Sequence, residues 1–247
     1  MLPPVVRRLL LVQVAKHTPE LAQLVVSNGG VGALVDYVNE SEGNNRLPGI
    51  MALGFISAFN ETLALAVIAS TGLAPLYASL ANEPEDHIKS AAAWSLGQVG
   101  RHSPDHAKAV SDAGALPKLV AALASPSSSE DLRTKAQRAL KAVINMLTDL
   151  KALDRLIQTP DLLESVAKYV VTQIAKVLPN DPASRHDFVT SGGFATVQAL
   201  DAAAGSAYRE HVEVINSCFP PEIVKYYSPG YSKQLLEKLE AAPVAAN

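Results

Sequence analysis

Aromatic residues are scarce, making up 5% of this 247-residue chain with a single tryptophan, Trp94. Cysteine is scarcer still. Cys218 stands alone, which excludes an intramolecular disulfide and any cysteine-based zinc motif and fits a reducing compartment, the cytoplasm. Neither sign of charge dominates: 21 basic and 24 acidic residues leave a formal net charge of -3, too balanced for a general nucleic-acid binder that relies on phosphate neutralisation. The strict apolar-polar alternation of half-buried strands is absent. No secretory leader is read after Met1, where "LPPVVRRLLLVQVAK" offers two prolines and only a short apolar run. Residues 63–81, "LALAVIASTGLAPLYASLA", carry no charge and approach the ~20 residues that span a bilayer. Gly72 and Pro75 interrupt them and fall where the equivalent stretch "DAGALPKL" carries Asp112 and Lys118, so no membrane partner is expected.

Catalytic signatures are lacking as well. There is no Gly-rich phosphate loop, nucleophile elbow or His-Glu-x-x-His, so no enzyme activity and no cofactor is expected. Glu83, Glu85 and Asp86 in "NEPEDHIKS" look like paired carboxylates but fall in a Pro-containing loop and helix start, where a solvated cap is expected. His102 and His106 in "RHSPDHAKAV" (101–110) invite a metal reading, yet no third ligand has matching spacing.

Apolar residues, at 48%, are plentiful, and they recur. "KHTPELAQLV" at 16–25 repeats the phrase of "RHSPDHAKAV", with His17 and Pro19 matching His102 and Pro104 but Leu21 replacing His106, so the histidine pair is not a shared ligand set. A middle copy lies at Phe59 to Thr62. Each copy continues to a turn and a second apolar run in which Val31, Leu73, Leu116, Leu163 and Phe194 hold one position, spaced by 42, 43, 47 and 31 residues. Upstream of the turns, "AAAWSLGQVG" (91–100) matches "IMALGFISAF" (50–59), with Leu96, Gly97 and Val99 over Leu53, Gly54 and Ile56; the glycines predict a close helix contact.

The punctuation predicts three helices per copy. Thr18 or Ser103 caps a first helix through its hydroxyl, with proline at the first helical position and Glu20 or Asp105 in the first turn. The first helix ends near Gly114, a second begins around Ala115, and a third runs from about Leu132 to Leu147 with Leu132, Ala136, Ala139, Leu140, Val143, Ile144 and Leu147 as its apolar stripe. Three-helix copies of ~42 residues stacked face to face predict an all-α fold, an armadillo-type right-handed α-solenoid. The repeats are expected over residues 1–205 and a C-terminal capping helix with an aromatic tail over 206–247. "VVRRLLLVQVAK" reads as a third helix without its first two, a truncated first repeat whose open end offers a surface for self-association. Tyr226, Tyr227 and Tyr231 concentrate aromatics in the tail, either as a cover for the last repeat or as a platform for a partner.

"AAAWSLGQVGRHSPDHAKAV", "EPEDHIK", "RLPGIMALG", "FVTSGGF" and above all "PPEIVKYYSPGYS" together resemble the sperm-associated antigen 6 family of armadillo-repeat proteins of the ciliary central apparatus. The resemblance implies a carboxy-terminal portion of such a protein: a non-catalytic scaffold in the axoneme of cilia and flagella, bound to central-apparatus proteins of the microtubule cytoskeleton and supporting central-pair stability and motility. The alternative is a general armadillo cargo adaptor or signalling scaffold that holds linear peptides in its concave groove.

In armadillo stacks the third helices line that groove. Taken in the Trp94 register, the groove positions are Leu9 and Gln13, Met51 and Phe55, Trp94 and Gln98, Lys141 and Asn145, then Thr172 and Lys176. The importin-α type of adaptor, similar in architecture, repeats a tryptophan four residues before an asparagine; here the one tryptophan pairs with Gln98, which disfavours nuclear import. Lys135, Arg138 and Lys141 in "RTKAQRALK" fall at three-residue steps and form a basic ridge. Such a ridge suits an acidic, extended partner, of which the tubulin tails are one.

Overall fold

The computed structural model describes residues 14, 16–201, 207–231 and 237, and among them every regular element is a helix. The chain divides into two units, Met1–Thr148 and Asp149–Asn247. The division falls inside the expected repeat array, while the expected change at 205 to 206 lies outside the described residues.

The first unit holds three consecutive copies of a three-helix module: α1 (Pro19–Ser27), α2 (Gly30–Glu40) and α3 (Leu47–Phe59); α4 (Glu61–Ala69), α5 (Leu73–Asn82) and α6 (Asp86–Gly100); α7 (Pro104–Asp112), α8 (Ala115–Ala124) and α9 (Glu130–Ile144). Local sequence sets the starts. The Thr18 hydroxyl accepts from the Leu21 amide at 3.3 Å, the Asn60 side chain from Leu63 at 2.9 Å and the Ser129 hydroxyl from Leu132 at 3.2 Å, each satisfying an amide that the first helical turn leaves unbonded. Between the first and second helix of each copy the chain reverses through a left-handed residue: Gly29 (φ 73°), Thr71 (φ 58°) and Gly114 (φ 79°). Each stands two residues before the position of Val31, Leu73 and Leu116, all of which are buried.

Burial follows the expected stripe. Leu132, Ala136, Ala139, Leu140, Val143 and Ile144 are buried along α9, and Leu147 is buried in the turn beyond it, its amide reaching the Val143 and Ile144 carbonyls at 3.1 Å. The core lies where the third helices α3, α6 and α9 stack. Gly97 is what allows α6 and α9 to meet, since a β-carbon there would come within 2.9 Å of the Ala139 backbone Cα. Gly54 serves α3 and α6 in the same way, opposite Ser95 and the Trp94 ring. The Ser95 hydroxyl crosses between copies to the Ile50 carbonyl at 2.9 Å. Residues 63–81 sit in α4 and α5, which meet at 78°; among the described residues no single helix is long and apolar enough to cross a membrane.

The second unit contains α10 (Leu150–Ile157), α11 (Glu164–Val177), α12 (Arg185–Thr190), α13 (Gly193–Asp201), α14 (Arg209–Asn216) and α15 (Pro221–Tyr227). The left-handed turn recurs at Asp161 (φ 53°) and Gly192 (φ 99°), again two residues before Leu163 and Phe194. The fourth copy nevertheless departs from three helices. After its turn the single 14-residue helix α11 is followed only by two short 3-10 turns, Leu178–Asn180 and Pro182–Ser184, before α12, so the spacing from Leu163 to Phe194 is short because one α-helix is absent. Leu163 itself is the N-cap of α11 and half-buried, unlike the other four residues in its position.

Candidate functional site

The third helices of the first unit are buried where they stack, and Phe55, Trp94 and Gln98 are among the half-buried residues that interrupt this burial. Phe55 on α3 and Trp94 on α6 are half-buried neighbours, their rings meeting edge to face with centroids 5.0 Å apart at 66°. Such a pair gains from the ring quadrupoles. Beside Trp94 a cavity of about 320 Å³ opens between α6 and α9. Its floor is made of small residues, Gly97, Ala139 and Ala142, and its rim of Trp94, Gln98, Lys135 and Arg138. The small residues that let the helices approach therefore also leave room in front of the indole.

The charge of this rim is positive. Lys135 is held by Asp131 one turn earlier at 2.8 Å, and that bond draws the Asp131 carboxyl below its ordinary range against the opposing effect of burial. Arg138 is exposed and has no ion pair among the described residues. An exposed guanidinium beside a half-buried indole can pair bidentately with a carboxylate while the ring takes an apolar or flat neighbour.

The expected groove positions are only partly brought together. Phe55 packs against Trp94, and Trp94 and Gln98 line the cavity together. Lys141 and Asn145 do not join them: both are exposed, and neither lines the cavity, where Arg138 and Ala142 stand instead. The cause is register. Leu140 and Val143 of α9 take the buried places of Leu96 and Val99 of α6, a step of 44 residues, whereas the spacing from Leu116 to Leu163 that placed Lys141 includes three residues lying beyond α9. Lys176 is exposed in the last turn of α11, in the second unit, and its carbonyl accepts from Asn180 at 3.2 Å. Gln13 lies outside the described residues. Of the basic ridge, Lys135 and Arg138 line the cavity, and Lys141 is exposed and does not.

The histidine cluster has a structural role that the sequence conceals. A helix leaves its last carbonyls without amide partners. At the end of α3 two of these are met from the next copy: the Ser57 carbonyl accepts from His102 Nε2–H at 2.6 Å and the Ala58 carbonyl from the Arg101 guanidinium at 2.8 Å. His106 Nε2–H donates to the Glu61 carbonyl at 3.1 Å, which in the neutral ring leaves Nδ1 to accept from the Ser103 hydroxyl at 2.7 Å. Ser103 is thus committed to His106 and makes no cap bond to the backbone of α7, contrary to the expectation for a serine at that position. The two imidazoles lie 5.8 Å apart, and burial lowers the His102 pKa, with the positive charge of Arg101 acting in the same direction. Among the described residues no three His, Cys, Asp or Glu side chains converge on a metal position.

Glu83 likewise differs from expectation. Only 7% exposed, it meets Arg46 of the preceding copy at 2.6 Å, so it is a buried tie and not a solvated cap. Asn44 and His87 are joined by a short hydrogen bond across the same joint, and the Ser129 amide donates to Asp86 at 2.5 Å across the next.

In the second unit the aromatic tail folds over Phe194. That ring is fully buried and packs against Phe188 at 6.4 Å, Phe219 at 4.6 Å and Tyr227 at 5.6 Å between centroids. Tyr226 is 61% exposed and contacts Tyr227 and Tyr231. Tyr227 therefore acts as cover, while Tyr226 is turned to solvent.

No family model matches the chain. It is 50% identical over 162 residues to sperm-associated antigen 6 of mouse and of human, a stretch that covers 66% of this chain and about a third of each relative, 32% and 31%. Among solved structures it is similar to a designed armadillo repeat protein in complex with the peptide (KR)4, with TM-score 0.58 and 20% identity over 87% of this chain and 98% of that one. A computationally designed armadillo repeat protein for modular peptide recognition gives TM-score 0.59 and 20% identity over 89% and 100%. The fold is therefore an armadillo-type α-solenoid.

Proposed function

We propose that this chain, an armadillo-type solenoid half identical over 162 residues to sperm-associated antigen 6, is a non-catalytic interaction scaffold of the flagellar axoneme. Its partners on this reading are proteins of the central apparatus, and its work is to hold them by surface contact in support of central-pair stability and motility. A standard specific interface buries about 1,600 Å² in total, an area that stacked helical modules can present without pocket chemistry.

The observation that carries the binding mode is Trp94 standing half-buried beside Arg138 over a cavity of about 320 Å³. A designed neighbour of the same fold holds a basic peptide, (KR)4. Here the rim carries Lys135 and Arg138, so the complementary ligand is an extended acidic segment, and the acidic tails of tubulin have that chemistry. Long-range attraction speeds encounter, and the indole supplies the buried anchor that small interfaces depend on.

Co-sedimentation with microtubules, with and without their acidic tails, tests this. The chain should pellet with intact microtubules and lose that binding when the tails are removed. Arg138→Glu combined with Lys135→Glu should abolish the tail-dependent fraction, and Trp94→Ala should weaken it while the helical signal is retained. Pelleting indifferent to both tails and charge reversal would remove the proposal.

A further inference from the structure

Glu83 closes the joint between the first and second copies, where Arg46 meets its carboxylate at 2.6 Å. The next joint has the cation but not the anion. The register that places Gly54 over Gly97 and Leu53 over Leu96 carries Arg46 to Lys89. Glu83 follows the last residue of α5, and the residue in that place after α8 is Ser125; counted back from the start of the following helix, Glu83 corresponds to Ser127. Both counts lead to one spot, because the Ser125 and Ser127 hydroxyls are hydrogen-bonded at 2.8 Å. These two serines line a cavity of about 230 Å³ together with Lys89 and Lys118. Asp86 also lines it, but its carboxylate is already engaged by Lys89 at 3.8 Å and by the Ser129 amide. Lys118 has no ion pair among the described residues. Neutral hydroxyls therefore stand where the preceding joint has a carboxylate, beside one cation already shared and one that is not.

We propose that Ser127 is a phosphorylation site, and that its phosphate supplies the anion which binds Lys118 and Lys89 and closes the joint between the second and third copies. Ser127 is exposed in the loop between α8 and α9, and Glu130 and Asp131 follow three and four residues on, a pattern suited to a serine kinase that reads downstream acids. In the transfer, Ser127 Oγ attacks the γ-phosphorus of a nucleoside triphosphate bound to the kinase. The new O–P bond forms as the bond to the β-phosphate oxygen breaks, the nucleoside diphosphate leaves with that electron pair, and the hydroxyl proton passes to the kinase's catalytic carboxylate. The product carries about -1.5 to -2 charges at neutral pH and three acceptor oxygens, close to the positive end of α9.

The full chain, treated with an acid-directed serine kinase and ATP, is mapped by mass spectrometry and then melted. A single phosphate is expected at Ser127, lost in Ser127→Ala and retained in Ser125→Ala. The midpoint of unfolding should rise by about 2–4 °C, the size expected when one ion pair is added to a chain of this length. That rise should vanish in Lys118→Gln and shrink in 0.5 M salt, which screens partly exposed charge. A chain made with phosphoserine inserted at 127 should show the same rise without any kinase. Transfer to Ser125 alone, no transfer, or a phosphorylated chain whose midpoint is unchanged or lower overturns the proposal.

Discussion

Two glycines separate helix propensity from helix contact. Gly32 lies in α2 with nothing within 4 Å of the position its β-carbon would take, whereas a β-carbon on Gly97 would come within 2.9 Å of both Cα and Cβ of Ala139. Alanine at either site gains the same ~0.8–1 kcal/mol of helix propensity. At Gly97 that gain is opposed by overpacking, about 1–3 kcal/mol, because the atom struck is backbone and cannot rotate away. Gly32→Ala is therefore expected to stabilise the first unit by up to ~1 kcal/mol, and Gly97→Ala to destabilise it by up to ~2 kcal/mol, a separation of about 1–3 kcal/mol between chemically identical changes. Urea unfolding followed by fluorescence reports on the right region, since Trp94 is the chain's one tryptophan and sits beside Gly97 at the cavity. If both variants gained stability equally, the close stacking of α6 on α9 would be refuted.

Acid should loosen the histidine joint. Because burial holds the His102 pKa below its ordinary value of about 6.5, its contribution is complete above that pH and is lost as pH falls through 6.5 toward the lower folded value. His102→Gln keeps a donor for the Ser57 carbonyl without titrating, so urea midpoints measured from pH 7.5 down to 5 should fall less steeply in the variant than in the parent; parallel curves would contradict this. Glu83→Gln should cost about 1–3 kcal/mol in the same assay, since it weakens the tie to Arg46 at a 7% exposed site. Asp112→Asn, whose pair with Lys108 is 57% and 52% exposed, should stay within about 0.5 kcal/mol. Phe194→Ala should cost the second unit about 3–5 kcal/mol and Tyr226→Ala less than about 0.5 kcal/mol, read by hydrogen exchange across residues 185–231.

What the sequence makes legible is whatever repeats. The apolar stripe of α9 is read residue by residue, because burial on one helix face forces a three- and four-residue rhythm. The turn before Val31, Leu73, Leu116, Leu163 and Phe194 is read in all five copies, and each carries a left-handed residue two positions earlier. What depends on another copy is less legible. Ser103 has the residue type and place of a cap, but its hydroxyl goes to His106, whose own ring is fixed by a carbonyl 45 residues away. Glu83 looks like a surface acid until Arg46 is placed beside it, 37 residues earlier. On α9 the ladder of groove positions runs three residues past the residues that line the cavity, because the spacing between turns counts loop length as well as helix register. Arg138, the cation facing the cavity, was visible in the sequence as part of the basic ridge, although the ladder assigned its place to Lys141. The fourth copy's lost helix left a trace in the short spacing from Leu163 to Phe194, yet spacing alone does not say which helix is absent.

On the function proposed above, Trp94 and Arg138 together seat an acidic segment, and Trp94 fluorescence measures this directly. Titration with an acidic peptide at low salt should change the emission saturably, weaken as salt is raised, and disappear in Arg138→Glu, while (KR)4 leaves the signal unchanged. An emission that responds equally to acidic and basic peptides, or to neither, would contradict the account.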